Sequence, residues 1–166
     1  MADLTTTTAS TDLLTCDQVA ARAGRNDLPA LLVDNLHRMP LAEIRRGVSA
    51  AWRMAEWPEP HLGTASWIAL FDGCEYMVDG EPASRTDLPD VLTLYRGASA
   101  ERMRGLSWTA SLDQARWFAN RFRQHLPVYE VQVFRSHVLA RLTTRGEDEY
   151  IVDTLDLHDD EFVQLD

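Results

Sequence analysis

Three short segments in the second half of the chain combine residue types that could hold an anionic substrate and act on a sugar. Tyr95-Arg96-Gly97 ends an apolar run, and arginine followed by glycine offers a forked cation beside an open backbone amide. That pair suits a phosphate and a carboxamide. Ser107 to Ser111 is rich in hydroxyl groups. Gly146-Glu147-Asp148-Glu149 gathers three carboxylates, and positioned carboxylates beside a sugar serve chemistry that passes through an oxocarbenium ion.

Taken singly, each segment has an ordinary structural explanation. Arg96 could pair with a surface carboxylate before a turn, and Ser111 with Gln114 could simply cap a helix. Acidic clusters usually form solvated loops, although Glu149 adjoins an apolar strand that could hold its side chain rigidly and aim it inward. Only the order of the segments, and the elements between them, favour a shared site.

The elements that must position these residues divide the chain into two parts. Residues 1–11 are mainly threonine, serine and alanine, which predicts a disordered tail before a single domain over residues 12–166. Within that domain, residues 12–90 are predicted to be mainly helical. Thr15 and Gln18 have capping-box spacing, and Asp27 before Pro29 is typical of a helix start.

The longest predicted helix begins near Leu41, and Pro58 is expected to close it. Its apolar residues recur at helical intervals: Leu41, Ile44, Val48, Trp52 and Ala55. Gly63-Thr64 is expected to open a further helix. The pairs Asp79-Gly80 and Glu81-Pro82 predict a loop.

Residues 91–166 are predicted to be mainly β-structure and to carry the site. The strand candidates are residues 91–95, 106–109, 128–134, 138–142, 150–152 and 162–165. Ser111 is expected to cap a helix bearing Ala115 and Phe118. Helices that cluster early and strands that cluster late indicate an α+β fold.

In this order the segments resemble the R-S-E signature of mono-ADP-ribosyltransferases. Arg96 matches the arginine of that signature, Ser107-Trp108-Thr109 resembles its Ser-Thr-Ser motif, and Glu147-Asp148-Glu149 resembles its paired-glutamate turn. Family members often carry an aromatic residue and then an arginine downstream of the serine, where Phe118 and Arg121 stand here. Trp108 departs from the family's usual small residue. The resemblance spans roughly residues 90–155.

The resemblance implies a split β-sandwich preceded by helices, with NAD bound as the substrate in a cleft between two sheets. Arg96 would contact a phosphate or ribose of NAD, and the backbone of Gly97 would bind the nicotinamide carboxamide. Ser107 would brace Glu149, and Thr109 would lie among the NAD-binding residues. Phe118 and Arg121 would cover nicotinamide and phosphate, although the pattern around them also fits a continuous helix in which Phe118 packs in the core.

The same resemblance implies the chemistry. Glu149 would bond the 2′-hydroxyl of the nicotinamide ribose and stabilise positive charge as the glycosidic bond breaks. Glu147 would orient or deprotonate the acceptor, and glutamate at this position accompanies arginine acceptors in the family. The expected protein is therefore an NAD-dependent transferase that modifies an arginine of a partner protein.

Composition excludes several other functions. The formal net charge of −10 over 166 residues disfavours nucleic acid as a partner. All sixteen basic residues are arginine, which rules out a Schiff-base lysine and a P-loop lysine. The spacing of Cys16 and Cys74 predicts neither a disulfide framework nor a metal site, and no metal is assigned to His158 among its aspartates. The absence of a signal peptide or membrane segment predicts a cytoplasmic protein.

Three alternatives stay open from the sequence. The same site could use water as the acceptor, which would make the protein an NAD glycohydrolase. The fold could also serve as a non-catalytic binding module, such as an inhibitor that docks a host protein. Finally, the motifs could coincide by chance in a structural α+β protein. A toxin and an intracellular effector both fit a short acidic chain.

Overall fold

The computed structural model describes residues 13–121, 125–146 and 148–165, so the tail expected at residues 1–11 lies outside the described residues. Six α-helices occur in this part of the chain: α1 Cys16–Ala20, α2 Leu28–Asn35, α3 Leu41–Met54, α4 Pro58–Leu62, α5 Thr64–Gly73 and α6 Leu112–Asn120. The first five precede all of the strands, and α6 lies between strands of the second half.

Eight strands in the described residues form one sheet. They are β1 Met77–Val78, β2 Glu81–Pro82, β3 Val91–Gly97, β4 Ser107–Thr109, β5 Val128–Phe134, β6 Val138–Leu142, β7 Glu149–Val152 and β8 Val163–Leu165. Their order in the sheet is β2-β1-β6-β7-β4-β3-β5-β8. All neighbours are antiparallel except β1 and β6, which are parallel. Several helices with one large sheet give the chain the α+β class.

The pairing between β3 and β4 is the shortest in the centre of the sheet. These strands share a single register pair, Tyr95 with Thr109, whereas β3 pairs with β5 along its whole length from Val91 to Gly97. Beyond Tyr95 and Thr109 the two strands therefore diverge, which leaves space for a cleft between the two parts of the sheet.

The first hydrophobic core joins the helices of the first half to β6 and β7. Trp52 of α3 and Trp67 and Phe71 of α5 are buried in it against Leu142 and Ile151 of the sheet. The three aromatic rings contact one another, with Trp52 edge-on to both partners at centroid distances of 5.1 and 5.6 Å. This packing fixes the position of α3, whose last turn reaches the cleft.

One predicted helix end, at Pro58, differs from the structure. Pro58 was expected to close the helix that begins at Leu41, but that helix stops at Met54 and Pro58 is the first residue of α4. Proline suits this position because its missing N–H is not required in the first helical turn. The capping box of Thr15 and Gln18 is confirmed, as is the helix start at Asp27.

The segment predicted as a loop around Asp79-Gly80 is a β-hairpin that joins β1 to β2. Asp79 and Gly80 both have positive φ, at 53° and 89°. Two positive φ angles match the right-handed twist of a two-residue hairpin, and Asp-Gly is a favoured sequence for it. The hairpin also lies close to α3, because a Cβ on Gly80 would be 3.2 Å from the Cα of Arg46.

The other two cores lie around β3 and β5. One contains Leu94 of β3 and Val131 of β5 together with Trp108 of β4 and Val152 of β7, so residues on both sides of the β3–β4 junction share it. The other is small and packs α6 against Tyr95. In the described part of the chain, no helix has the length and apolar character needed to cross a membrane.

Candidate active site

The three motif segments lie on adjacent strands of the sheet. Arg96-Gly97 ends β3, Ser107–Thr109 forms β4, and Glu149 begins β7. Backbone pairing aligns them, since Tyr95 pairs with Thr109 and Thr109 pairs with Glu149. Segments that are far apart in the sequence therefore meet at one place on the sheet.

A cleft of about 420 Å³ lies beside the β3–β4 junction. Seven of the eight residues predicted for the site line this cleft: Arg96, Gly97, Ser107, Thr109, Phe118, Arg121 and Glu149. The eighth, Glu147, lies outside the described residues. The sequence motifs thus converge on one cavity of the size that small-molecule sites have, roughly 300–1,000 Å³.

The guanidinium of Arg96 is held by main-chain carbonyls at the edge of the cleft. Its Nη1 donates to the Ser107 carbonyl at 2.6 Å, and its Nε donates to the Arg102 carbonyl at 3.2 Å. Its Nη2 lies 3.8 Å from Oε1 of Glu59 in α4. Burial lowers the pKa of Arg96, and the charges of Glu59 and Glu149 oppose that shift. Arg96 therefore braces the β3–β4 connection and places a positive charge near Glu149.

Gly97 marks the place where α6 approaches the end of β3. A Cβ at this position would be 2.6 Å from the carbonyl oxygen of Ala115 and 2.7 Å from the backbone nitrogen of Ala119. Glycine is required because no other residue allows the helix to lie so close. The approach matters for the cleft, since α6 carries Phe118 to its wall and ends beside Arg121.

Thr109 connects β4 to the start of α6. Its Oγ1 accepts a hydrogen bond from the Ser111 N–H at 3.1 Å and donates to Oε1 of Gln114 at 3.1 Å. Ser111 in turn caps the helix by accepting from the Gln114 N–H, which confirms the predicted cap. Trp108, between the two cleft-lining residues, packs into the second core, and its indole N–H donates to the Gly105 carbonyl at 2.7 Å.

Phe118 and Arg121 lie at the end of α6 rather than on a separate covering loop. The helix is continuous to Asn120, as the alternative interpretation of the sequence expected. Phe118 is half-buried, contacts Trp117 edge-on at 5.0 Å and belongs to none of the three core clusters formed by the described residues. The Arg121 guanidinium stacks 5.2 Å over the Trp117 ring.

The carboxylate of Glu149 is contacted from the helical half of the chain. Its Oε1 accepts a hydrogen bond from the indole N–H of Trp52 at 3.0 Å. The resemblance implied that Ser107 braces this carboxylate. Among the described residues, the Trp52 indole forms a hydrogen bond with Glu149, and the Ser107 side chain does not.

The turn that precedes Glu149 is tied to two neighbouring elements. Asp148 accepts two hydrogen bonds from Arg141 of β6, at 2.7 and 3.1 Å. Asp79 in the hairpin accepts from the backbone N–H groups of Thr143 and Thr144 at 3.0 and 3.4 Å. Burial raises the pKa of Asp79, but a hydrogen bond from the Thr143 hydroxyl, these two backbone hydrogen bonds and the charge of Arg53 outweigh it, so that the pKa lies below its ordinary value. The position of the turn therefore depends on an ionised Asp79.

One wall of the cleft comes from the end of α3 and the start of α4, which sequence reasoning did not assign to the site. Trp52, Arg53, Glu56, Trp57 and Glu59 all line it. Trp57 is 56% exposed, in contrast to the buried Trp52 and Trp67 of the same half. The sequence contains one feature that could have indicated this wall. Two tryptophans and two glutamates lie close to Pro58, and such a polar and aromatic mixture does not fit the end of a buried helix.

Neither a metal-binding cluster among the described residues nor a similar protein indicates the chemistry of the cleft. Within residues 13–121, 125–146 and 148–165, the structure contains no group of three or more His, Cys, Asp or Glu side chains that could hold a metal ion. Comparison with protein-family models, with curated proteins and with solved structures gives no match. The interpretation of the cleft therefore depends on its own residues.

Proposed function

We propose that this protein is an NAD-dependent mono-ADP-ribosyltransferase that modifies an arginine of a partner protein and releases nicotinamide. The observation that carries the proposal is the convergence of the three motif segments on one cleft. Arg96, Ser107 and Glu149 were selected from the sequence by order and spacing alone. A chance resemblance gives no reason for all three to line the same cavity.

The chemical character of the cleft supports NAD as the occupant. NAD combines flat aromatic rings with a pyrophosphate and two riboses. The cleft offers aromatic side chains at Trp57 and Phe118, positive charge at Arg96 and Arg121, and a carboxylate at Glu149. Aromatic surfaces with a few placed polar groups are the usual composition of a small-molecule site.

The shape of the sheet supports the same fold family. A split β-sandwich needs two groups of strands that separate beside the ligand. Here β3, β5 and β8 are connected to the other five strands through the single pair Tyr95–Thr109. Leu94 and Trp108, on opposite sides of that junction, share one core, which favours a bend of the sheet at this point.

In the proposed reaction, the bond between the nicotinamide nitrogen and C1′ of its ribose breaks, and nicotinamide leaves with the electron pair. The developing positive charge on the ribose is stabilised by the Glu149 carboxylate, held by Trp52. A guanidine nitrogen of the acceptor forms the new bond to C1′ and loses a proton. The expectation that Glu147 orients or deprotonates this acceptor concerns a residue outside the described ones.

The test is the release of nicotinamide from NAD by the purified protein, with agmatine as a simple guanidine acceptor. Wild-type protein should form ADP-ribosyl-agmatine, detectable by its mass. Glu149→Ala should lower the release by more than about 100-fold while NAD affinity stays within about tenfold, because the carboxylate acts mainly in the transition state. Glu101→Gln is the matched control, since Glu101 is an exposed carboxylate outside the cleft.

The outcomes separate the alternatives. Nicotinamide release without any agmatine adduct or protein adduct would replace the transferase with an NAD glycohydrolase. NAD binding without turnover would identify a binding module. Absence of NAD binding in calorimetry, or full activity of Glu149→Ala, would refute the proposal.

A further inference from the structure

Among the described residues, a hydrogen bond joins the helical half of the protein to the side chain at the start of β7. The indole Nε1–H of Trp52, in the last turn of α3, donates to Oε1 of Glu149 at 3.0 Å. The two residues are 97 positions apart in the sequence. Nothing in the three-segment resemblance involves Trp52.

The indole of Trp52 is fixed in place by its neighbours. Its side chain is 3% exposed, and its ring lies edge-on between Trp67 and Phe71. Trp67 is itself held, since its indole N–H donates to the Pro58 carbonyl at 2.7 Å. The Trp52 ring therefore has no room to change rotamer, and its N–H stays directed at Glu149.

The chemistry of the donor is also specific. An indole nitrogen donates one hydrogen bond and accepts none, so it cannot remove a proton from the substrate. Donation to a carboxylate favours the ionised form and restricts the position of the oxygen that accepts the hydrogen bond. A fixed, ionised carboxylate is what stabilisation of a cationic sugar requires, because no reorganisation is then needed during the reaction.

We infer that Trp52 is a positioning residue for Glu149, through which the packing of the helical half sets the orientation of the carboxylate. The expected effect of Trp52 on turnover rests on the proposed function. The structural content of the inference, a hydrogen bond from a locked indole to the Glu149 side chain, does not.

Two matched substitutions separate positioning from simple packing. Trp52→Phe removes the N–H and keeps an aromatic ring in the cluster. Trp67→Phe does the same at a neighbouring buried indole that donates to a main-chain carbonyl and does not line the cleft. Trp52→Phe should lower kcat for nicotinamide release by about 10- to 100-fold, the range for a lost hydrogen bond to a charged group, with KM for NAD changed less than threefold. Trp67→Phe should lower thermal stability, and its kcat should fall much less than that of Trp52→Phe, because a phenyl ring at position 67 still packs against the Trp52 indole.

A measurement without NAD tests the hydrogen bond itself. The chain has five tryptophans, whose indole N–H signals can be resolved and assigned in a ¹⁵N–¹H spectrum of the full protein. Glu149→Gln should shift the Trp52 indole signal strongly, because its acceptor loses its charge, and should leave the Trp67 signal in place. This experiment requires no change at Trp52, so it holds even if Trp52→Phe does not fold.

The two readouts distinguish failure of this inference from failure of the proposed function. An unmoved Trp52 signal in Glu149→Gln would overturn the inference whatever the enzyme does. Equal losses of kcat in Trp52→Phe and Trp67→Phe would overturn it as well, because packing alone would then explain the effect. If the signal moves but wild-type protein releases no nicotinamide, the hydrogen bond is supported and the proposed function fails.

Discussion

The close approach of α6 to the end of β3 can be tested by adding one methyl group, through Gly97→Ala. The new Cβ would lie 2.6 Å from the Ala115 carbonyl oxygen, 2.7 Å from the Ala119 nitrogen and 2.8 Å from the Ala119 Cβ. Ordinary contacts of these kinds are about 3.3–4.0 Å. The helix would have to retreat by on the order of 1 Å, because two of the three atoms belong to its backbone and cannot rotate away.

The size of the effect follows from this geometry. Overpacking of a core position costs about 1–3 kcal/mol, and clashes with helix backbone place Gly97→Ala in the upper half of that range. For a chain of this length, that loss corresponds to a decrease in Tm of about 4–12 °C. Under the proposed function, NAD affinity should fall too, because Phe118 and Arg121 move away from the cleft with α6.

The assay is urea unfolding followed by tryptophan fluorescence, together with calorimetric NAD binding. Gly73→Ala is the matched control, because a Cβ on Gly73 at the end of α5 would meet no atom within 4 Å. That substitution should be neutral or stabilise the protein by up to about 1 kcal/mol. If Gly97→Ala unfolds at the same urea concentration as wild type with an unchanged slope, α6 does not lie against β3 as described.

Two further predictions concern ionisable side chains. The pKa of Asp79 lies below its ordinary value because hydrogen bonds from Thr143 and Thr144 and the charge of Arg53 outweigh its burial. The ionised carboxylate therefore stabilises the fold above about pH 4, and this stabilisation is lost as the pH falls through the lowered pKa. Asp79→Asn should therefore be less stable than wild type by about 1–2 kcal/mol in urea unfolding at neutral pH, and the difference should shrink near pH 3; a constant difference would contradict this account. Burial raises the pKa of the Cys74 thiol to about 11, against the opposing charge of Arg45. Iodoacetamide at mildly alkaline pH should thus label Cys74 only as the protein unfolds, and mass spectrometry showing rapid labelling of the native protein would refute the burial.

The sequence predicted the longer elements well because their signals are local. β5 and β6 have the predicted bounds, Val128–Phe134 and Val138–Leu142. The Thr15 capping box and the Ser111 cap are also where their spacing placed them. Caps and alternating apolar residues depend on neighbours within a few positions, which a single sequence contains.

The errors occur where one local signal has two structural meanings. A proline can end one helix or begin the next, and Pro58 begins α4. Asp79-Gly80 between two short segments can form a loop or a hairpin turn, and strands of two residues are too short to show alternation. For the hairpin, the result depends on contacts with a distant element, the parallel pairing of β1 with β6.

The sequence predicted one part of the cleft and missed the wall formed by α3 and α4. Motif order identified residues on β3, β4, α6 and β7, because each motif is a contiguous segment with a recognisable composition. The wall from α3 and α4 has no such motif, and the helical period marked Trp52 as an ordinary core residue. Its role depends on one polar atom of an otherwise apolar side chain, directed at a residue 97 positions away.

Residues from both halves of the chain line the cleft. Glu149 is contacted by Trp52 of α3, and Arg96 lies beside Glu59 of α4, so these two charged side chains of the β-rich half each contact a side chain of the helical half. Glu59 strengthens this connection, because it also accepts a hydrogen bond from the backbone N–H of Leu106 just before β4. A change in the packing of the first core can therefore reach the carboxylate and the guanidinium through Trp52 and Glu59 as well as through β7. Substitutions in the helical half should consequently alter the chemistry of the cleft in proportion to how far they move α3 and α4, and not merely in proportion to their effect on stability.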